Sequence, residues 1–397
     1  MADTTDVQSE NVKMSVPEPD TASEGPLPNL FKIFDIFIEN NVRIRGRPTW
    51  IIMCGYAIGE TALFCAFADA FVKAHGHGIV LVITKKHIQV ANMYAHSFLK
   101  MVVIGDDFMH AILRSGYIPQ DRFEVNQPLS ACWIDQGYRM SDGIKYLPGI
   151  QPGRGGLSET DFSRFTLRLP WSARLDTPRI PPEWEDQAWQ LAKQVGLRSG
   201  RSVVLCPINN SSVKFPLTFW EQMARRLNEL GYTVFTNVGG LTATNGLSTM
   251  PIPGTTAVDL PINLVVPFIN FAGRVISGPN GMFFLTMLAG YESFKMTQVL
   301  PVSKDVNEGD SSLGCRAPSR IKGDELICGF QYAAPECCLR TPLKEFLIPY
   351  DESADELIRL AKVVADENTE DPACIKRYEC NGKLYIEEHA AWLKKLV

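Results

Sequence analysis

Two stretches of this sequence follow the same order: a short, wholly apolar run, then a longer segment with apolar residues at helical spacing, then another apolar run. In the first, TWIIMCGY (Thr49 to Tyr56) is continuous enough to be a strand buried on both faces. In IGETALFCAFADAFVKAHG, residues Ile58, Ala62, Leu63, Ala66, Phe67, Ala70 and Phe71 recur at helical spacing, and Gly76 stops the helix. GIVLVITKK (Gly78 to Lys86) reads as the next strand and IQVANMYAHSFLK (Ile88 to Lys100) as the next helix. MVVIGDD (Met101 to Asp107) is a third strand before the helix FMHAILRSG. Strands alternating with helices of this length need crossover connections, and crossovers give a parallel sheet.

Between Pro119 and Arg179 the pattern weakens among many Pro and Gly residues. ACWIDQGY is a candidate strand there, and SETDFSRFTLRL a candidate helix. The alternation resumes after the helix PPEWEDQAWQLAKQVGL (Pro181 to Leu197), which has Pro at its start and Gly196 near its end. SVVLCPI is a strand, and TFWEQMARRLNELG a helix with a T-x-x-E capping box at Thr218 and Glu221. YTVFTNVGG is a strand ending in Gly239 and Gly240. PINLVVPFINFAG is a helix, VISGPNG a strand and turn, and MFFLTMLAGY a helix. MTQVLPV (Met296 to Val302) closes the series. The fold class is therefore α/β, with two successive Rossmann-like domains. The chain divides into an acidic tail over 1–29, a first domain over 30–185, a second over 186–349 and C-terminal helices over 350–397. Those helices, SADELIRLAKVVADE and LYIEEHAAWLKKL, are amphipathic and are expected to pack back on the domain junction.

Composition narrows the classes of partner. With 397 residues the chain is long enough for two cores. A formal net charge of −5 supplies no general field for nucleic acid, although a local basic patch for a peripheral membrane contact stays open. The first 29 residues are acidic and rich in Pro, Ser, Thr and Asp, the composition of a solvated tail rather than of a secretory signal. No apolar run approaches the ~18 residues of a membrane span, so no transmembrane segment is expected. Ten cysteines without such a signal imply a reducing compartment, and a cytoplasmic location is expected. Cys315, Cys328, Cys337 and Cys338 match no zinc pattern, and no metal site is assigned. The six histidines form no H-x-x-x-H pair, and His75 and His77, flanking a helix end, are expected at the surface.

In a doubly wound sheet, ligands sit beyond the C-terminal ends of the strands. Three such loops are polar or Gly-rich here. CGYAIGET (Cys54 to Thr61) places Glu60 in a helix's first turn, either as an acid favoured by the helix dipole or as a general base. PINNSSVKFPLTFW (Pro207 to Trp220) strings together Asn209, Asn210, Ser211 and Ser212 before Lys214, a set suited to a diphosphate. Its bland alternative is a solvated polar loop. SGPNGMFFL (Ser277 to Leu285) puts Asn280 and Gly281 at a helix start, able to hold an anion or simply to turn the chain. G-x-G-x-x-G is absent from the first loop, which counts against a dinucleotide cofactor, and none is expected.

Taken together, the three loops resemble the heptosyltransferases of bacterial lipopolysaccharide synthesis, inverting GT-B glycosyltransferases. The segments carrying the likeness are IIMCGYAIGETALFCAFADAF, NNSSVKFPLTFWEQMARRL and PNGMFF, the second being the most specific. The resemblance implies a GT-B architecture of two Rossmann-like domains facing a cleft, the first for the acceptor and the second for the nucleotide sugar. It implies Glu60 as the catalytic base and Lys214 as a catalytic and donor-binding cation. Asn209, Asn210, Ser211, Ser212, Gly239, Asn280 and Gly281 join the donor-binding set. Three positions differ from the family: Glu60 stands for its aspartate, Pro279 for the acid of the turn and Phe284 for a histidine.

The implied reaction is inverting transfer of a sugar, a heptose among the candidates, from an ADP-heptose-like donor to a hydroxyl. No D-x-D lies near a strand end, so the transfer is expected to be metal-independent. A glycan, a lipid-linked acceptor, a small metabolite and a protein side chain are all open as acceptor. A GT-B protein that binds nucleotide sugar or glycan without chemistry is the alternative. A GT-B-like epimerase would want cleft carboxylates and histidines that the sequence does not show.

Overall fold

The computed structural model describes residues 33, 36–42, 44, 49–54, 58–109, 129–133, 160, 163–164, 167, 169–207, 214–239, 251–278, 280–291, 293–302, 321–322, 325–326, 341, 343–349 and 352–368. It divides into two compact units, Met1–Ile150 with Asp161–Pro178, and Gln151–Thr160 with Arg179–Val397.

The first unit is built on β1 (Thr49–Cys54), β2 (Gly78–Thr84), β3 (Phe98–Ile104) and β4 (Leu129–Trp133). They pair in parallel in the order β3-β2-β1-β4. Strand alternation gives the sheet two apolar faces. Ile51, Met53, Val80, Val82, Val102 and Ile104 pack with Phe37, Val42 and Phe108 on one side. From the other face, Trp50 meets Phe71 of α1 (Ile58–His75) edge-on at 5.4 Å between ring centroids. Helix α1 is buried almost continuously from Thr61 to Ala68, as its alanine and phenylalanine content requires.

Three expectations are corrected in this unit. The helix foreseen over Ile88 to Lys100 is only α2 (Ile88–Asn92), followed by a 3₁₀ turn at Ala95–Ser97, and β3 begins at Phe98. Pairing of Phe98 and Lys100 with β2 outweighs the helical spacing of the local sequence. The strand foreseen in ACWIDQGY starts earlier, at Leu129. His75 is buried at 8% exposure rather than at the surface: its Nε2 lies 2.9 Å from the Leu167 carbonyl, and its ring is 4.3 Å from that of Phe71.

The second unit carries a six-stranded parallel sheet in the order β12-β9-β8-β5-β6-β7. Its strands are β5 (Ser202–Cys206), β6 (Thr233–Asn237), β7 (Thr256–Val258), β8 (Arg274–Ser277), β9 (Lys295–Val302) and β12 (Leu343–Pro349). A two-stranded ribbon, β10 (Ile321–Lys322) with β11 (Glu325–Leu326), lies outside this sheet. The series does not close at β9, as the sequence suggests: β12 extends it on the far side of β9.

The helices of this unit are α3 (Pro182–Gln194), α4 (Leu217–Glu229), α5 (Ile262–Ala272), α6 (Gly281–Ala289) and α7 (Ala354–Ala365). Val203, Leu205, Ile276, Val299, Phe346 and Ile348 form one core with the apolar stripes of α4 and α7. Alternation turns Val204, Cys206, Ser277 and Gln298 to the opposite face. Helix α7 thus belongs to this unit's core, with Ser353 capping its start by accepting from the Glu356 amide at 3.3 Å. The segment LYIEEHAAWLKKL lies outside the described residues. Helix α4 starts two residues earlier than its expected capping box allows. Pro216 is its N-cap residue and no side chain caps it, so Thr218 already lies inside the first turn.

Candidate functional site

The C-terminal rim of the second sheet is polar where the strands that lead to it are apolar. Cys206 ends β5, Asn237 ends β6 and Ser277 ends β8. All three are buried, at 6%, 3% and 0% exposure. Asn237 Oδ1 accepts from the amides of Gly239 (3.0 Å) and Leu260 (3.2 Å). Burial pushes the Cys206 thiol up to about 12, outweighing the lowering influence of the neighbouring Asn237 amide, so it is a neutral packing group at physiological pH. The Ser277 hydroxyl lies 2.7 Å from the Gly278 carbonyl and 3.2 Å from that of Cys206.

Asn280 and Gly281, taken from the P-N-G turn, stand at the start of α6. Asn280 is its N-cap: Oδ1 accepts from the Phe283 amide at 2.8 Å, while Nδ2 donates to Ser277 Oγ at 2.7 Å. Gly281 is the helix's first residue. Gly239 lies two residues past β6 and is buried. Its lack of a side chain has a local cause. A Cβ there would collide with the Asp259 carboxylate and lie 2.6 Å from the Leu260 amide nitrogen. Its own N–H is taken by Asn237, so Gly239 shapes the loop.

Lys214 is exposed in the extended segment just before α4. Phe215 beside it is buried, stacked on Phe219 at 4.6 Å and meeting Trp220 edge-on, which anchors the segment. Asn209, Asn210, Ser211 and Ser212 lie outside the described residues, as do Cys315, Cys328, Cys337 and Cys338. Pro279 also lies outside them, while Phe284, the family's histidine position, is a buried apolar residue of α6.

In the first unit, Glu60 sits half-buried in the first turn of α1. The Cys54 thiol at the end of β1 hydrogen-bonds Thr61 Oγ1 at 3.3 Å, fixing where that turn leaves the strand. Further along the same rim, Lys86 Nζ is 2.9 Å from Asp106 Oδ2, just beyond β2 and β3 respectively. A cavity of about 420 Å³ opens at the other end of α1, between Asp69, Lys73 and the segment Pro170 to Asp176. None of the residues selected from the sequence lines it.

The sequence places Asn280 and Gly281 at a helix start as an anion site or a turn, and the structure adds that Asn280 caps α6. Sequence reasoning missed Asn237, Cys206 and Ser277. Their importance comes from lateral neighbours on other strands, and the linear pattern carries no trace of it.

No protein-family model matches the sequence, and no curated protein matches it either. Among solved structures, the glycosyl transferase family 9 protein from Veillonella parvula DSM 2008 matches with a TM-score of 0.50 at 14% identity, covering 83% of this chain and 100% of that one. The E. coli ADP-heptose lps heptosyltransferase II matches with a TM-score of 0.43 at 11% identity, over 80% of this chain and 99% of that one. E. coli heptosyltransferase WaaC with ADP-2-deoxy-2-fluoro heptose gives 0.40 at 11% identity, over 73% and 98%. At such identities the likeness is one of fold. The chain has the α/β, parallel-sheet fold of the family 9 structure, and the resemblance read from its loops holds at that level. No helix among the described residues is long and apolar enough to cross a membrane.

Proposed function

We propose that this chain is an inverting glycosyltransferase that moves a sugar from a nucleoside-diphosphate donor to a hydroxyl acceptor. The observation that carries the reading is the fold shared with the family 9 structure, joined to a polar rim at the strand ends of the second sheet. Fold by itself does not select a reaction, and the rim supplies the chemistry. The capped start of α6 leaves the Gly281 and Met282 amides without a helical acceptor, and free amides at a helix start suit a diphosphate. Lys214, before α4, adds a mobile positive charge for the leaving nucleoside diphosphate. Asn209, Asn210, Ser211 and Ser212 complete the donor set, and Gly239 contributes the shape of its loop.

Glu60 takes the acceptor's proton as its oxygen attacks the anomeric carbon, and the configuration there inverts. Charge on the departing diphosphate is met by Lys214 and backbone amides rather than by a metal on a D-x-D motif. The likeness to heptosyltransferases favours an ADP-heptose-like donor. The test is incubation with a panel of nucleotide sugars and candidate acceptors, following release of nucleoside diphosphate. Release that depends on one donor supports transfer. A second reading is favoured by Pro279, where the resembled family has an acid: a protein that binds nucleotide sugar without turning it over. Saturable binding with no release under any acceptor selects it.

A further inference from the structure

The polar rim of the second sheet is one row of residues in lateral register. Glu345 on β12 is opposite Gln298 on β9, Gln298 is opposite Ser277 on β8, and Ser277 is opposite Cys206 on β5. Asn237 follows Thr236, which pairs with Leu205, and so continues the row onto β6. Residues in register on neighbouring strands share a face. Four polar side chains and the Cys206 thiol therefore cross the sheet together, each at 6% exposure or less. A row of valines or leucines would bury at lower cost, since every polar group taken from water must be repaid by a hydrogen bond. Local departures from an apolar core are expected where function constrains the chain.

At Asn237 and Ser277 the hydrogen bonds of this row run outward, into the loops. Asn237 holds the Gly239 and Leu260 amides, joining the loop after β6 to the one after β7. Ser277 accepts from Asn280 Nδ2 and so decides which way that amide faces: with its nitrogen satisfied by Ser277, its oxygen is turned to the Phe283 amide at the α6 start. On its inner side the Ser277 hydroxyl lies 3.2 Å from the Cys206 carbonyl, which ties it to the end of β5. Cys206 is also the last residue of β5, directly before the loop that ends in Lys214.

We infer that Ser277 and Asn237 are positioning residues of the donor site: Ser277 through Asn280, and Asn237 through the Gly239 and Leu260 amides, fix the directions in which the loops after β6, β7 and β8 leave the sheet, and so set the affinity for a nucleoside diphosphate. The ligand in this inference rests on the glycosyltransferase reading above, whereas the orientation of the loops stands on hydrogen bonds alone. Neither residue touches the reacting atoms.

The experiment combines native-state amide exchange with calorimetric titration of nucleoside diphosphates (ADP, UDP, GDP, CDP and dTDP) on the full chain. In the wild type, the Gly239, Leu260 and Phe283 amides should exchange as slowly as those inside β5. Exchange at the rate of open loops overturns the network. Ser277→Ala should speed exchange at Phe283 and raise the Kd of the diphosphate that binds by about tenfold, with melting of the second unit still cooperative. Asn237→Ala should speed exchange at Gly239 and Leu260 and raise the same Kd, while Asn237→Asp, which keeps the accepting oxygen, should hold that exchange slow. This pair decides the matter even if Ser277→Ala folds poorly. Unchanged exchange and unchanged Kd in Ser277→Ala and Asn237→Ala overturn the positioning role while leaving the donor reading intact. A wild type that binds none of the diphosphates overturns the donor reading and, with it, the role assigned to these residues.

Discussion

Arg274, buried at the start of β8, holds its Nε 3.2 Å from Oε1 of Glu367, just past the end of α7. Its terminal nitrogens donate to the Ala365 carbonyl at 3.2 and 3.3 Å and to that of Val364 at 3.4 Å. A buried cation thus closes the C-terminal end of α7, where the helix dipole is negative. Glu367 is held at φ 53°, a left-handed conformation that a non-glycine residue adopts at a cost. Lys344 Nζ lies 2.7 Å from its other oxygen, and Lys295 3.7 Å. Burial works to raise the Glu367 carboxyl, but the Lys344 hydrogen bond and the charges of Arg274, Lys344 and Lys295 outweigh it and hold the group below its ordinary value. For Arg274, burial outweighs Glu367 and lowers the guanidinium from its usual value.

A prediction for acid stability follows. A carboxyl lowered in the folded state contributes stability above its unfolded value and loses it as pH falls through the folded one. Wild-type stability should therefore decline on acidification from about pH 5 downward. Glu367→Gln should be less stable at neutral pH by about 3 kcal/mol, the usual cost of stranding one partner of a buried pair, and should lose less on acidification. Urea unfolding at neutral and acidic pH checks this. Parallel pH profiles for the two proteins would detach Glu367 from acid sensitivity.

How much of this was visible in the linear sequence depends on where each element's partners lie. Parallel strands buried on both faces read as unbroken apolar runs, so Ile51 to Cys54 and Val203 to Cys206 were plain. Helix α7 was equally legible from its one-sided apolar stripe. β12 was not, because Lys344 and Glu345 interrupt its apolar pattern and its partner β9 is about forty residues away. The burial of His75 depends on a carbonyl 92 positions further on. The same limit applied to the site. Asn280 announces a helix start through its neighbours in sequence, whereas Ser277 and Asn237 acquire a role only from adjacent strands.

Lys214→Ala should weaken binding of a nucleoside diphosphate by about 1.5–3 kcal/mol, the range for a hydrogen bond to a charged group. Lys214 is exposed and anchored through the buried Phe215, so the substitution should leave unfolding within about 0.5 kcal/mol of wild type. Calorimetry at fixed salt is the measurement. Unchanged affinity would remove Lys214 from the donor site.

Chelation should leave transfer largely intact. The proposed charge on the leaving group is carried by a lysine and backbone amides, and no D-x-D precedes the helices of either unit. The measurement is the rate of nucleoside-diphosphate release with and without a chelator, then with each divalent cation restored. Loss reversed by one metal would show that the diphosphate is held by an ion after all.

Glu60 carries the largest predicted effect. Its placement in the first turn of α1, tied to the end of β1 through Cys54 and Thr61, fits two roles with different consequences. As a first-turn acid it would only favour the helix, and Glu60→Gln would cost stability no more than about 1 kcal/mol with turnover unaffected. As the base, it must accept a proton in the transition state, which an amide cannot do. Glu60→Gln should then cut turnover by roughly 10²–10⁴-fold while the donor Kd stays near wild type. Loss in kcat with donor binding preserved is the pattern of an interaction made only in the transition state. Glu60→Asp, one methylene shorter and the residue that the resembled family uses, should restore part of the rate, because the carboxylate is kept and only its reach changes. If folded Glu60→Gln turns over at nearly the wild-type rate, the base lies elsewhere on the rim of the first sheet. Asp107 is then tested before Asp106, whose Oδ2 is already engaged by Lys86 at 2.9 Å.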